Sequence, residues 1–272
     1  MKTSLLRDGL ILVIVFGIIW GIFSYFPIFS AEGTSLGISV EQEEKLGTLI
    51  VDNIMEDKST KIASNPVLDS AMHVINKRLI SNIGTTDFEY KIKVIDNPQI
   101  NAFTLPGGNI FVFSGLIEFS EHPEEVAAVL AHEIGHAEKR HVVKKLVKEL
   151  GIAIVFSVLT GGDAVILKEL TRTAASTVFD RGQEKEADEY SFSLMERSKI
   201  DPKALATFFR RINDKTGGYN ENMEILMTHP NNNSRIKSAL EYKLPENFKS
   251  EPFNLNWEAV KATVAIEEKK ND

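Results

Sequence analysis

The pentapeptide His132-Glu133-Ile134-Gly135-His136 constrains this chain more than any other stretch, because it lies inside a long helical pattern. Residues four apart in a helix stand one turn apart on the same face, so both imidazoles converge on one point. That is the HExxH arrangement of a divalent-cation site, and the glutamate inside it reaches a water without binding the metal. The helix also has a legible start. Pro123-Glu124-Glu125 places a proline and two acids in the first turn, where unpaired amides and the helix dipole favour them. A helix over about 123–141 is predicted, with His132 and His136 as zinc ligands and Glu133 as general base. Gly135 costs helix propensity but leaves space for another element to approach that turn. The rival reading is two surface histidines on an amphipathic helix.

A catalytic zinc site needs a third protein ligand. The chain has no cysteine, which removes thiolate ligands, disulfides and cysteine nucleophiles together. The metzincin pattern HExxHxxGxxH would need glycine and histidine where Lys139 and Val142 stand; His141 misses that spacing by one and is assigned to the surface. A glutamate on a later helix is the remaining route. Arg181-Gly182-Gln183-Glu184-Lys185-Glu186-Ala187-Asp188 supplies it, and Glu184 and Asp188 share a face while Glu186 points away. Glu184 is expected to bind one Zn2+ per chain, with Asp188 orienting a ligand histidine. Ala187 is small enough to let two helices pack closely.

The 21 residues from Gly9 to Phe29 carry no charged side chain, enough to span roughly 30 Å of hydrocarbon as a helix. Residues 1–31 are expected as a membrane anchor, or a signal-like segment. Lys2 and Arg7 before the span, and Glu32, Glu41, Glu43 and Glu44 after it, put the rest of the chain on the extracytoplasmic side. A linker at 30–37 leads to a domain over 32–245, followed by a tail over 246–272. Helices are expected over about 39–57, 66–82, 123–141, 143–159, 163–178, 183–197, 202–214 and 232–242, with strands over about 88–95 and 109–113 and a short helix near Trp257. The uncharged stretch 151–159 is too short to span a bilayer and is expected as a core helix. A net charge of -7 offers no basic surface for nucleic acid.

HEIGH followed by ExxAD resembles the membrane-associated zinc metallopeptidases of the CAAX prenyl protease, HtpX and BepA type. Asn101-Ala-Phe-Thr-Leu-Pro-Gly-Gly-Asn109 leading into Ile110-Phe-Val-Phe-Ser-Gly-Leu116 is similar to that family's strand-and-turn motif. Arg140-His141 and Thr228-His229-Pro230 with Arg235 match further elements in the expected order. The resemblance implies an α+β, mainly helical gluzincin-like domain with a small β-sheet, preceded by one transmembrane helix. It implies that the strand Asn109, Ile110, Phe111, Val112 and Phe113 is an edge on which substrate backbone docks. His229 would donate to the oxyanion or cap the zinc, and Arg235 would fix that region or stabilise developing charge. The implied activity is endoproteolysis of membrane-associated, misfolded or exported proteins in a bacterial envelope, with the mitochondrial inner membrane as the other location. The alternative is a gated or inactive zinc-binding membrane chaperone. A serine hydrolase is disfavoured because no Gly-x-Ser-x-Gly elbow occurs.

Overall fold

The computed structural model describes Gly17 and residues 37–176, 178–216, 225–229 and 232–270. The expected anchor, Gly17 apart, lies outside the described residues, as does most of the linker. Among the described residues no helix is long and apolar enough to cross a membrane. The chain divides into two compact units, Met1–Ser39 and Val40–Asp272, and the second carries the helices and the sheet named below.

Helices α1 (Val40–Glu56) and α2 (Pro66–Ile80) come first, where apolar spacing predicts them. The Asn65 side chain accepts from the amides of Val67 and Leu68, and Pro66 takes the first turn of α2, so the start is set by both signals at once. Three strands follow, β1 (Lys91–Ile95), β2 (Ala102–Leu105) and β3 (Asn109–Phe113). They lie in the order β1-β3-β2, with β1 parallel and β2 antiparallel to β3.

That order corrects the expected docking edge. β3 is the central strand, with β1 on one side and β2 on the other, and all five of its residues are buried. Asn109, Ile110, Phe111, Val112 and Phe113 therefore have no free backbone edge to offer a peptide. The run Ile110-Phe-Val-Phe113 does not alternate with polar residues, which is the pattern of a strand covered on both faces. The edge on this side of the sheet is β2, a four-residue strand too short to stand out in sequence.

The remaining helices are α3 (Ser114–Phe119), α4 (Pro123–Glu138), α5 (His141–Leu150), α6 (Ile152–Leu159), α7 (Ala164–Ala175), α8 (Arg181–Arg197), α9 (Lys203–Thr216), α10 (Ile225–Thr228), α11 (Asn232–Glu241) and α12 (Trp257–Lys270). The single helix expected over about 143–159 is two. Gly151 breaks it at φ 86°, a left-handed conformation that a residue with a Cβ adopts only under strain. The core also continues past residue 245. Trp257, Val260 and Val264 of α12 join the main apolar cluster, and the Trp257 indole donates to Ser120 O at 2.9 Å.

α4 is the axis of this unit. Val126, Leu130 and Ile134 are fully buried, each contributing about 1.5–3 kcal/mol by leaving water. Arg211 of α9 donates to the buried Glu125 carboxylate and, at 3.1 Å, to Phe119 O, tying the first turn of α4 to its neighbours. On the opposite side α8 comes so close that a Cβ at Gly135 would stand 2.8 Å from Ala187 O. The glycine in HEIGH and the small Ala187 are thus what lets α4 and α8 touch.

Candidate metal centre

α4 presents His132, Glu133 and His136; α8 presents Glu184 and Asp188; the residue after α10 is His229; and α11 presents Arg235. All are buried to 4% exposure or less. α8 is placed by a capping box, in which Asp180 accepts from Gly182 and Gln183 amides while Gln183 accepts from the Asp180 amide. One further turn along, Glu184 points inward against α4.

One donor atom from each of His132, His136, Glu184 and His229 lies within 4.8 Å of the others. The two Nε2 atoms of His132 and His136 are 3.0 Å apart, and Glu184 Oε1 stands 3.3 Å from the latter. His229 Nδ1 lies 3.0 Å from Glu184 Oε1 and 3.3 Å from His132 Nε2. Tetrahedral zinc with bonds of about 2.0–2.1 Å holds its donors roughly 3.3 Å apart. These four separations are close to that value, and all four donors converge on one point.

Two buried carboxylate oxygens among the described residues, Glu133 Oε1 and Glu184 Oε2, accept no hydrogen bond. His229 Nε2 is 3.4 Å from the first, and Arg235 Nη1 at 3.2 Å and His132 Nε2 at 3.6 Å are nearest the second, near enough for charge attraction without forming a hydrogen bond. Orphaned buried oxygens cost free energy unless a cation or water satisfies them, so the donor set fits a divalent metal.

The electrostatics agree. Burial raises the Glu184 carboxyl, yet His229, His136 and His132 around it outweigh burial and hold it well below the ordinary carboxylate range. Burial likewise opposes ionisation of Asp188, but Arg235 and His132 bring it down. Burial pushes His136 well below its ordinary value against the pull of Glu184, which leaves the ring neutral. A neutral imidazole and an ionised carboxylate are the protonation states a metal requires. His229 goes the other way: burial lowers it, and Glu184 and Glu133 more than compensate.

The supports are specific. His132 Nδ1 meets Asp188 Oδ1 at 2.9 Å, and Arg235 clamps the same carboxylate with Nε at 3.0 Å and Nη2 at 2.7 Å. Arg235 lies over the Phe209 ring at 4.5 Å, with Nη1 3.2 Å from Glu184 Oε2. It is a buried tie between two acids and not a surface arginine. A cavity of about 590 Å³ between α8 and α11 is lined by Glu184, Asp188, Arg235 and Tyr242 among others.

The sequence of peptidase family M48 matches residues 66–243, which contain every one of these side chains. The chain belongs to peptidase family M48. Members of this family use zinc, and the donor set of this M48 chain is of the right kind to hold it. It is 30% identical over 222 residues to the Beta-barrel assembly-enhancing protease of Escherichia coli strain K12, covering 76% of this chain and 45% of the relative. It is 34% identical over 173 residues to the Mitochondrial metalloendopeptidase OMA1 of Schizosaccharomyces pombe, covering 62% of this chain and 51% of the relative. The Metalloprotease LoiP of Escherichia coli strain K12 is 30% identical over 165 residues, covering 58% of this chain and 64% of the relative. The chain thus spans about half the length of the first two, or less.

Three side chains at this M48 centre have contacts that the motifs did not assign to them. Thr104 of β2 has its hydroxyl 2.8 Å from both Glu133 O and Glu133 Oε2. Phe179 stacks on the His136 ring at 3.8 Å with a 20° tilt. His141, expected on the surface, is 1% exposed, with its Nδ1 2.9 Å from His136 Nδ1. Burial lowers its pKa to about 4 despite the nearby Glu186.

Proposed function

We propose that the chain is a zinc-dependent endopeptidase in which His132, His136 and Glu184 hold the metal and Glu133 is the general base. The observation that carries this is the convergence of four buried donors beside a Glu133 oxygen that accepts no hydrogen bond. Zinc in such a site supplies Lewis acidity, bringing the pKa of water toward about 7 and polarising a carbonyl. The chain's own groups do the rest. The Thr104 hydroxyl holds Glu133 Oε2 at 2.8 Å, leaving Oε1 to take the proton of the attacking water and later return it to the leaving amine. Asp188 fixes the His132 ring, and Arg235 holds Asp188 ionised and in place; Arg235 acts through its neighbours and not on substrate.

His229 caps the site in its resting state in this reading. Its Nδ1 lies 3.3 Å from His132 Nε2 and 3.0 Å from Glu184 Oε1, close enough that it would take the place of a water or substrate oxygen on a bound metal. Once displaced, the same ring would donate to an oxyanion. The complete burial of Glu133 and His136 favours a gated peptidase over an open one. Substrate backbone would pair along β2, whose Thr104 touches the base, and recognition through backbone groups alone selects weakly among side chains.

The apolar segment at residues 9–29 would tether the enzyme to a membrane with the catalytic unit extracytoplasmic. Its substrates would be misfolded or exported proteins, in line with relatives named for β-barrel assembly and for a mitochondrial location. The test is Glu133→Gln in the full chain. Zinc should stay at one per chain while cleavage of a denatured protein falls to background; wild-type turnover by this variant would overturn the assignment.

A further inference from the structure

The two ligand histidines are supported from behind in different ways. The Nδ1 of His132 meets a buried carboxylate, Asp188. The Nδ1 of His136 meets another imidazole: His141 Nδ1 at 2.9 Å, whose Nε2 in turn stands 3.2 Å from Glu186 Oε2. The Glu186 side chain is 55% exposed, so this second support runs from the metal centre to the protein surface.

The polarity of this chain follows from hydrogen-bond chemistry. His136 Nε2 faces the other donors, 3.0 Å from His132 Nε2 and 3.3 Å from Glu184 Oε1, and must present a lone pair there to bind a metal. Its proton then sits on Nδ1 and is donated to His141 Nδ1. His141 in turn carries its proton on Nε2 and donates it to Glu186. This is the one arrangement of two neutral rings that satisfies both contacts with a ligating Nε2.

The backbone is shaped for it. Arg140 is left-handed, at φ 52° and ψ 35°, a conformation that costs a non-glycine residue about 1–2 kcal/mol. It ends α4 and starts α5 so that His141 turns back against His136. Arg140 Nε donates to the buried carboxylate of Glu43, which holds that corner.

We infer that His141 and Glu186 are positioning residues of the metal centre, fixing the ring and tautomer of His136 as Asp188 fixes His132. The inference rests on the zinc reading of the same site. Loss of such an outer partner weakens metal binding about 10–100-fold.

The test titrates the full chain with zinc against a chromophoric chelator and records the visible spectrum of the cobalt(II) form. His141→Phe, which fills the space but cannot accept the proton, should weaken zinc binding about 10–100-fold and shift the cobalt bands. His141→Gln, whose amide oxygen can accept from His136, should recover most of that loss. Glu186→Ala, at an exposed position that cannot endanger folding, should cost about tenfold and carries the test if His141→Phe fails to fold. Wild-type affinity and cobalt spectrum in Glu186→Ala and in folded His141→Phe would overturn the relay while leaving the peptidase reading intact. A wild-type chain that takes up no zinc would overturn both.

Discussion

Gly135→Ala separates the packing of α4 on α8 from the chemistry it serves. The added methyl would lie 2.8 Å from Ala187 O and 3.1 Å from Ala187 Cα, where ordinary contact begins at 3.4 Å. Both neighbours are backbone, so no side chain can swing away, and the helices must part by ~0.6 Å. Overpacking of this kind costs about 1–3 kcal/mol, and the gain in helix propensity returns about 1 kcal/mol. Net destabilisation of the metal-free protein should therefore be small, about 0–2 kcal/mol. The metal site is less forgiving. Ligand distances tolerate about 0.2 Å, and a 0.6 Å separation carries Glu184 away from His132 and His136 by roughly three times that. Zinc affinity should fall about 10–100-fold, the range seen when the support of a ligand is lost. Chemical denaturation of the metal-free protein gives the first quantity, and chelator competition gives the second. A folded Gly135→Ala protein that binds zinc within twofold of wild type would refute the claim that this contact sets the ligand geometry.

Other residues give sharper separations. Thr104→Val removes the donor from Glu133 Oε2, and turnover should drop about tenfold or more at unchanged zinc content, a part of the 10²–10⁴ that general-base catalysis supplies. His229→Ala should keep one zinc per chain and bind a small hydroxamate about tenfold more tightly, if the capped state holds about nine-tenths of the population; unchanged inhibitor affinity would remove the cap. Trp257→Ala should lower stability by about 3–5 kcal/mol in urea denaturation, because the ring is 6% exposed and packed in the main core. Wild-type stability would mean that α12 is an appendage after all.

The grouping of His132, His136, Glu184 and Asp188 in one buried cluster was legible because its signals are local. His132 and His136 are one turn apart on one helix, and Glu184 and Asp188 repeat the same spacing on another, so helix geometry alone brings each pair together. What failed was whatever depends on partners distant in sequence. Whether β3 is central or at an edge is decided by β1 and β2, and no property of residues 109–113 fixes the strand order. Thr104 reaches Glu133 across 29 positions, and although its stretch resembles a family motif, no local spacing announces the contact. His141 illustrates a third cause. Five positions beyond His136 on an unbroken helix its ring would point well away, and only the left-handed turn at Arg140 returns it. The membership of α12 in the core was hidden because its partners, α2 and α3, lie far back in the chain.

The central claim is that Glu184 completes a zinc site begun by the two histidines of α4. Metal content of the purified full chain, measured beside Glu184→Ala and Glu189→Ala, tests it with an internal control, since the Glu189 side chain is 65% exposed and pairs only with Lys185 among the ion pairs of α8. One zinc per chain in wild type and Glu189→Ala, with most of it lost in Glu184→Ala, is the predicted result. Full zinc occupancy in a folded Glu184→Ala protein would contradict it.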